Sequence, residues 1–441
     1  MNQEATWDLL VLGGTVLTME PDREPIVDGA VAVAEGRIAA VGPAEELLEI
    51  APTGEVLNAG KCLILPGLVN THSHLAMTLL RGLADDLPLM EWLENHIWPA
   101  ERKHMTRETV RLGTELAVAE QLLAGITTTT DMYFFGDEVS AVLAKAGMRG
   151  VVAESLIDMP TPRCATPEEM LDKQRALLEE YRDHPLITPS VAAHAPYSVS
   201  AANLVKEAEL AENFEVPMQI HVAETAWEVA RLLEEKGLSP VAYLADLGVL
   251  SERTVAAHCV HVSDEDIELL ADFEAGVSHN PASNLKLASG VSPVPQMVEQ
   301  GVKLGLGTDG AASNNTLDLL RDMQLAALLH KVIAGNPTAL PARTMLEMAT
   351  ISGARVLGLD DRIGTLSEGR EADLICLSVN EPHAVPLYDP ESHLVFAARS
   401  ADVRHVMVRG KVLVRDRKLL TIDRERIEAQ AREFADSMRT E

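Results

Sequence analysis

The sequence predicts an α/β protein, a (β/α)8 TIM-like barrel with a small β-sandwich formed by the N- and C-terminal segments. In the middle of the 441-residue chain, apolar segments of strand length alternate eight times with amphipathic helical segments. Both ends instead contain short runs of alternating Val, Ile and Ala with Gly between them, a pattern typical of strands. Two β-rich ends that cannot bury themselves alone are expected to pair.

The eight candidate barrel strands are LILPGLVNTHSH, GITTTTDM, RGVVAESLID, ITPSVAAHAPYS, PMQIHVAE, TVAAHCVHV, AGVSHNPASN and VKLGLGTDG. No G-x-G-x-x-G follows the first strand, which disfavours an open dinucleotide-binding sheet. No helix is expected in the first sixty residues, and a charged helix over about Arg424–Met438 is expected to close the chain. These elements predict a composite sandwich domain (1–63 plus 368–422), a catalytic barrel (64–367) and a C-terminal helix (423–441).

The formal net charge of −30 at pH 7 predicts a solvated acidic surface. Such a surface repels phosphate groups, so we expect no nucleic-acid partner and no membrane partner. The four cysteines form no C-x-x-C pair and suit a reducing cytoplasm. The N-terminal stretch MNQEATWDLLVLGG has no basic start before a long apolar run, so no signal peptide is expected. A homo-oligomer, a dimer or higher, is the expected assembly.

Four residues at the C-terminal ends of the predicted strands suggest a metal site. His72 and His74 end the first strand, where residues two apart point to the same side. His221 ends the fifth strand and Asp309 the eighth, and in a barrel these ends form the active-site face. Three imidazoles and one carboxylate suit Zn²⁺, the expected ion, or Fe²⁺ better than Mg²⁺ or Ca²⁺, and they leave room for a water ligand.

Neighbouring residues suggest hydrolysis by a metal-activated water. Asp309 is expected to ligate the ion with one oxygen and accept the water's proton with the other. His258, which ends the sixth strand, is placed to hydrogen-bond the water or the oxyanion that follows. Glu224, three residues beyond His221, is expected to protonate a ring nitrogen as general acid.

These motifs together resemble the amidohydrolase superfamily over nearly the whole chain, in PGLVNTHSH, HVAET, AAHCVH, SHNPASNLKL, GTDG and EGREADLICL. Within it, the chain is most similar to the 5-methylthioadenosine/S-adenosylhomocysteine deaminases. The resemblance implies hydrolysis of the 6-amino group of 5′-methylthioadenosine, S-adenosylhomocysteine or adenosine. Binuclear members carry a carboxylated lysine at the end of strand four. This chain has AAHAPYS there, with His194 and no lysine, which implies a single ion.

The resemblance also implies a nucleoside-binding set. Glu101 would accept hydrogen bonds from the ribose 2′ and 3′ hydroxyls, and Trp92 would form a wall of the nucleoside pocket. His194 would contact the nucleoside from strand four. Glu224, Asp309 and Ser313 are further candidate contacts to the substrate.

One departure bears on the substrate tail. Members that accept S-adenosylhomocysteine can use an arginine near the end of strand three to hold its carboxylate. This chain has Glu154 in that strand, which would repel the carboxylate, and Arg163 in the following loop as a potential compensation. We therefore expect a preference for 5′-methylthioadenosine, whose thioether needs only an apolar pocket, for which Met77, Met90 and Met132 are candidates.

Two alternatives remain open from the sequence alone. The same metal ligands serve guanine deaminases, plain adenosine deaminases and triazine-ring hydrolases, so only the pocket discriminates among them, and Glu101 together with Trp92 favours a riboside. A barrel kept as a non-enzymatic binding module is the other alternative, but loss of metal ligands is expected there and all four are present. The cytidine-deaminase type of zinc enzyme needs P-C-x-x-C, which this chain lacks.

Overall fold

The computed structural model describes residues 7–50 and 53–440. Residues 1–6, within the stretch expected to carry no signal peptide, lie outside the described residues. So do residues 51–52 of the predicted sandwich segment and residue 441 of the predicted C-terminal segment.

The strands fall into three sheets. In chain order they are β1 (Trp7–Leu12), β2 (Thr15–Val16), β3 (Gly29–Ala34), β4 (Arg37–Pro43), β5 (Thr53–Asn58), β6 (Cys62–Pro66), β7 (Leu68–Asn70), β8 (Ile126–Tyr133), β9 (Arg149–Leu156), β10 (Ile187–Pro189), β11 (Val191–Ala193), β12 (Met218–Val222), β13 (Thr254–His258), β14 (Gly276–His279), β15 (Lys303–Leu306), β16 (Leu374–Ser378), β17 (Val403–Val408), β18 (Lys411–Arg415) and β19 (Lys418–Leu419).

Most helices lie between the barrel strands. In chain order they are α1 (Ala44–Ile50), α2 (Leu89–Trp92), α3 (Trp98–His104), α4 (Arg107–Leu123), α5 (Gly136–Ala146), α6 (Pro167–Glu180), α7 (Ala201–Phe214), α8 (Ala226–Lys236), α9 (Pro240–Asp246), α10 (Asp264–Asp272), α11 (Pro281–Lys286), α12 (Val294–Glu299), α13 (Ala311–Asn314), α14 (Leu319–Ile333), α15 (Ala342–Met348), α16 (Ile351–Val356), α17 (Pro390–Phe396) and α18 (Arg424–Thr440). A π-helical turn, Leu93–Ile97, joins α2 to α3.

The central sheet closes into the predicted barrel. Its parallel strands run β7, β8, β9, β11, β12, β13, β14 and β15, and β15 pairs back onto β7. The fourth barrel strand is interrupted at Ser190, so that β10 and β11 both pair with β9. Every residue of β8 and β9 is buried, as expected for strands covered by helices on one side and filled by side chains on the other. The (β/α)8 fold is confirmed.

The chain ends form the two extra sheets. One sheet has the order β4-β3-β1-β5, and the other has the order β19-β18-β17-β16-β6-β2, which joins N-terminal and C-terminal strands. Apolar side chains of both sheets pack into one buried cluster that includes Val11, Val31, Ile64, Leu374 and Met407. This packing buries surface that neither chain end covers alone. The domain boundaries at residues 63, 367 and 422 stay predictions.

The sequence prediction errs at two places in this region. The helix α1 lies within the first sixty residues, where no helix was expected; Leu47 packs there against Trp7 and Leu10 in a buried cluster. The first predicted barrel strand is two strands, β6 in the sandwich and β7 in the barrel, divided at Gly67. A Cβ at Gly67 would lie 2.0 Å from Thr127 Oγ1, so only glycine allows this close approach.

A buried ion-pair cluster joins the N-terminal end of the barrel to the segment that leads into β16. Arg149, the first residue of β9, is fully buried. It donates to Asp373 at 2.9 Å and to Glu371 at 2.5 Å. Glu371 also accepts from Arg362 at 3.0 Å, and Asp373 accepts from the backbone N–H of Arg409 at 2.8 Å. Each charge in this cluster therefore has an opposite charge or a hydrogen-bond donor beside it.

Across residues 7–50 and 53–440, no helix is both long enough and apolar enough to cross a membrane.

Candidate active site

The segment from His72 to His74 follows β7 rather than ending it, which corrects the expectation that both histidines lie in a strand. Flanking segments still hold it in place. The backbone N–H of Asp309 donates to the carbonyl of His72 at 3.0 Å, and that of Met132 donates to Ser73 at 3.3 Å. Asp309 itself has a positive φ of 60°, in the left-handed region that aspartate adopts more readily than most residues other than glycine.

The four predicted metal ligands converge on one point of the rim. Asp309 Oδ1 lies 3.4 Å from His72 Nε2 and 3.3 Å from His74 Nε2. His74 Nε2 is 3.3 Å from His221 Nε2. A tetrahedral zinc site, with ligand distances of roughly 2.0–2.1 Å, separates neighbouring ligand atoms by about 3.3–3.4 Å. These three distances are those expected between neighbouring ligand atoms of one tetrahedral cation.

The hydrogen bonds behind two of these rings fix the direction of their lone pairs. His74 Nδ1 lies 2.8 Å from the carbonyl of Met132, and His221 Nδ1 lies 2.7 Å from the carbonyl of His194. A carbonyl only accepts, so both Nδ1 atoms carry the proton and both neutral rings present a lone pair at Nε2. Two lone pairs that face each other at 3.3 Å repel unless a cation lies between them.

The charges of the cluster agree with that requirement. Burial lowers the pKa of His72 to about 4 and holds the pKa of His221 well below its usual range, so both rings are neutral at pH 7. Burial raises the pKa of the Asp309 carboxyl. The interactions with the adjacent His72 and His74 side chains act more strongly and hold this pKa well below its usual range. His72 Nε2 is also buried without a hydrogen-bond partner among the described residues. The cluster therefore fits a divalent metal ion.

His258 is the last residue of β13 and lies beside the cluster. Together with His72 and His221, it forms a second set of side chains spaced for one metal ion. Its Nδ1 atom is 2.8 Å from Asn284 Oδ1, so this ring also presents an Nε2 lone pair. His258 can thus accept a hydrogen bond from a water, as predicted, or act as a further ligand.

Glu224 is buried beside His258, on the loop that follows β12. Its Oε2 atom lies 3.9 Å from His258 Nε2, and Ser289 Oγ lies 3.4 Å from its Oε1 atom. Burial raises the pKa of the Glu224 carboxyl. The loop is held by the carboxylate of Glu228, which accepts from the backbone N–H groups of Ala223 at 3.1 Å and Glu224 at 2.9 Å.

The second oxygen of Asp309 is already hydrogen-bonded. The hydroxyls of Ser283 and Ser313 both donate to Oδ2, at 2.6 Å and 2.8 Å. The other oxygen, Oδ1, therefore faces the histidines. Ser313, predicted as a substrate contact, lines the cavity but directs its hydroxyl to Asp309. The predicted roles of both residues stay predictions.

A cavity of about 770 Å³, counting the open space at its mouth, lies above the cluster. Trp92 and His194, both predicted contacts, line it; the Trp92 indole N–H donates to the carbonyl of Ala84 at 3.1 Å, and His194 Nδ1 lies 2.7 Å from Ser198 Oγ. The rest of the wall is largely apolar, with Leu89, Leu93, Ile97, Trp98, Phe134 and Ile157.

Glu101 also lines the cavity, from the first turn of α3. The hydroxyl of Tyr133, the last residue of β8, donates to Glu101 Oε1 at 2.6 Å. Burial raises the pKa of Glu101 to about 7, although this hydrogen bond acts to lower it. Of the three predicted methionines, Met77 and Met132 line the cavity, whereas Met90 lies against the hydrophobic core.

The prediction that Glu154 repels a substrate carboxylate is wrong. Glu154 faces α5 and lies outside the cavity lining, which contains the next residue, Ser155. It accepts from the backbone N–H of Gly136 at 2.9 Å and from Arg163 at 2.7 Å. Arg163 is therefore occupied by Glu154, and neither side chain lines the cavity.

Several residues of the site have no role in the sequence prediction. Ser283 and Asn284 lie within SHNPASNLKL. The position of this segment at the end of a predicted strand is the one feature of the sequence that could suggest a role for them in the site. Tyr133 follows GITTTTDM directly, and Glu228 lies four residues after the predicted acid Glu224. Their contacts join segments that are distant in sequence, so spacing alone does not identify them.

Sequence and structure comparisons identify proteins that are similar to this chain over most of its length. A sequence profile described as the Amidohydrolase family matches residues 63–413, and one described as an imidazolonepropionase-like composite domain of bacteria matches residues 29–53. The chain is 49% identical to a protein of Syntrophobacter fumaroxidans named 5-methylthioadenosine/S-adenosylhomocysteine deaminase, over 97% of this chain and 98% of that one.

Two solved structures are also similar. One is an adenosine deaminase from Xanthomonas campestris with bound zinc, with a TM-score of 0.97 and 40% identity over 99% of both chains. The other is an atrazine chlorohydrolase from Arthrobacter aurescens TC1 complexed with zinc. Its TM-score is 0.90, at 25% identity over 97% of this chain and 100% of that one.

Proposed function

The chain belongs to the amidohydrolase family, within it to the 5-methylthioadenosine/S-adenosylhomocysteine deaminases, and from this premise we propose that it deaminates adenosine-type nucleosides. Water adds at C6 of the adenine ring and the 6-amino group leaves as ammonia, which gives the inosine analogue. The observation that carries the proposal is the position of Glu224 in the same cavity as a cluster of histidines that present lone pairs.

We propose one divalent ion, held by His72, His74, His221 and Asp309. Zn²⁺ is the expected ion, since two similar structures contain zinc, and Fe²⁺ accepts the same ligands. When bound, such an ion lowers the pKa of a water molecule to roughly 7 and so supplies hydroxide at neutral pH. The end of the fourth barrel strand, with His194 in place of a lysine, supports a single ion.

Three side chains handle protons and hydrogen bonds in this proposal. Glu224 gives its proton to a ring nitrogen of the adenine as water attacks the neighbouring carbon, and its raised pKa favours the protonated form that this step needs. His258, through its Nε2 lone pair, accepts a hydrogen bond from the attacking water. Asp309 holds a negative charge beside them and is the proposed acceptor of the water's proton.

The outer cavity is the proposed site for the rest of the nucleoside. Glu101 accepts hydrogen bonds from the ribose hydroxyls, Trp92 forms a wall, and His194 contacts the nucleoside from the fourth strand. The described residues that line the cavity include no lysine and no arginine. An uncharged 5′-methylthio group fits such a wall better than the charged tail of S-adenosylhomocysteine, so we propose a preference for 5′-methylthioadenosine.

The alternative activities have less support. The similar triazine-ring enzyme is 25% identical to this chain, whereas the deaminase relative is 49% identical. A non-enzymatic barrel is disfavoured because all four metal-binding side chains converge. We further propose a homo-oligomer located in the cytoplasm, with no nucleic-acid or membrane partner.

An ultraviolet assay for conversion of adenine to hypoxanthine tests the proposal. The zinc-loaded protein is given 5′-methylthioadenosine, S-adenosylhomocysteine, adenosine and guanine in parallel, with metal-stripped protein as the control. We expect the highest kcat/KM with 5′-methylthioadenosine, a lower value with S-adenosylhomocysteine and none with guanine. Turnover of guanine without turnover of any adenine nucleoside would overturn the proposal.

A further inference from the structure

The hydrogen bond between Tyr133 and Glu101 is short, buried and joins two different parts of the barrel rim. Tyr133 ends β8, whereas Glu101 belongs to α3, in the long loop after β7. The two side chains are 4% and 5% exposed, and their oxygens are 2.6 Å apart. Both line the cavity, so this contact lies where a bound molecule would touch it.

The direction of this hydrogen bond follows from its chemistry. A phenol O–H donates, and a carboxylate accepts at either oxygen. Within the described part of the chain, Tyr133 is the one group that donates a hydrogen bond to the Glu101 carboxylate. A bond of this kind to an ionised acceptor is roughly twice as strong as one between neutral groups.

The bond sets which part of the carboxylate a ligand meets. Tyr133 occupies one lone pair of Oε1 and fixes the rotation of the carboxylate plane, so Oε2 is left for donors from the cavity. Without the phenol, the carboxylate would rotate freely and would lose its one donor within a buried, largely apolar wall. A vicinal diol needs both its hydroxyls accepted in one geometry, and this requires a carboxylate with a fixed orientation.

We propose that Tyr133 is a positioning residue for recognition of the ribose diol, acting through Glu101. This inference rests on the proposed nucleoside-deaminating function and on Glu101 as the ribose contact. It identifies β8 as a second element, besides the loop that carries Glu101, that determines specificity for ribosides. Tyr133 itself does not need to touch the substrate.

The test is the substitution Tyr133→Phe, which removes one oxygen and keeps the ring. We expect KM for 5′-methylthioadenosine to rise about tenfold, the loss typical of a charge-assisted hydrogen bond, with kcat within about twofold of wild type. With 2′,3′-dideoxyadenosine, which has no diol, the same substitution should change KM by less than about twofold. Tyr243→Phe, which removes a phenol on α9 outside the cavity, is the matched control and should behave as wild type.

A double-mutant cycle separates positioning from a general loss of structure. In a Glu101→Ala background, Tyr133→Phe should have no further effect on KM, because its partner is gone. An equal KM increase with the dideoxy substrate, or an undiminished effect in the Glu101→Ala background, would overturn the inference. If Tyr133→Phe folds poorly, Glu101→Gln, which keeps an acceptor for Tyr133, should still discriminate between the diol and the dideoxy substrate better than Glu101→Ala. Failure of the proposed function is distinct, since wild-type protein would then deaminate none of these substrates.

Discussion

The two ends of the barrel both bury polar and charged side chains, but they satisfy them differently. At the N-terminal end, Arg149 is paired with Asp373 and Glu371, and each carboxylate has further donors. At the C-terminal end, the imidazoles of His74 and His221 face each other with lone pairs 3.3 Å apart. One end is complete within the protein, and the other requires a cation.

This difference separates stability from function. Removal of one partner from a fully paired buried cluster leaves an uncompensated charge and costs stability. A cluster whose lone pairs repel contributes little to the stability of the metal-free protein, but it can bind a cation. Substitutions at the N-terminal end should therefore lower the free energy of unfolding, whereas substitutions at the C-terminal end should lower turnover.

The largest effect is expected at the cation end. His74→Ala removes one of two facing lone pairs and one metal ligand, so turnover should fall by more than ~10⁴-fold, which exceeds the loss expected for an acid–base residue. The free energy of unfolding of the metal-free protein should change by only about 1 kcal/mol, because the substitution removes the hydrogen bond from Nδ1 to the carbonyl of Met132 but also relieves the repulsion between the lone pairs. Metal content, steady-state kinetics and denaturant unfolding check this. A variant that still binds one ion per chain with normal turnover would break the comparison.

The next effect concerns the proton donor rather than the ion. Glu224→Gln keeps the shape of the side chain but removes its proton, so turnover should fall about 10²–10⁴-fold. Metal content should stay that of wild type, since Glu224 is not among the converging ligands. The turnover of Glu228→Gln serves as a comparison. Glu228 accepts hydrogen bonds from the backbone of the loop that carries Glu224, but it does not line the cavity. Near-normal turnover of Glu224→Gln would remove this residue from the mechanism.

At the opposite end, Arg149→Met should act on stability alone. It leaves two buried carboxylates without their shared partner, which costs about 3–5 kcal/mol of unfolding free energy. The folded fraction should keep wild-type kcat/KM and metal content. Arg231→Met is the matched control, because its ion pair with Glu235 is exposed and should contribute less than about 1 kcal/mol. Loss of activity from folded Arg149→Met protein would show that the two ends are coupled.

The same contrast explains how far the sequence could predict the molecule. The barrel and its four converging ligands follow from local patterns, since each ligand lies at or just after a strand with a clear apolar sequence. The ion-pair cluster of Arg149 could not be found in this way, because its partners are more than two hundred residues away. Helix α1 was missed because it is a short segment of seven residues, three of them glutamates, with a single deeply buried leucine.

Glu154 shows a different limit. Its position near the end of a strand was predicted, but the strand's alternation places Ser155 toward the cavity and Glu154 toward α5. The direction of a side chain in a strand buried on both faces leaves no hydrophobic pattern, so the sequence cannot distinguish the two. The partners of His258, Glu101 and Asp309 were missed for the reason that applies to Arg149, because Asn284, Tyr133 and Ser283 lie on other segments.

The smallest effect expected is a pH dependence of substrate binding at the cation end. Burial raises the pKa of Glu101 to about 7 in the free protein, so the carboxyl is protonated below that pH and ionised above it. Hydroxyls of a ribose donate to the ionised form, so binding favours loss of the proton. KM for 5′-methylthioadenosine should therefore fall about tenfold between pH 6 and pH 8, by the change in the ionised fraction.

The ratio of KM values for the riboside and for 2′,3′-dideoxyadenosine isolates this effect, because other titrating groups of the site act on both substrates and cancel. The ratio should fall as pH rises through about 7 in wild type and stay flat in Glu101→Ala. A ratio independent of pH in wild type would show that Glu101 is ionised throughout this range or does not meet the diol. In that case the histidine cluster would be the part of the C-terminal end that needs a ligand, and Glu101 would no longer distinguish the two ends of the barrel.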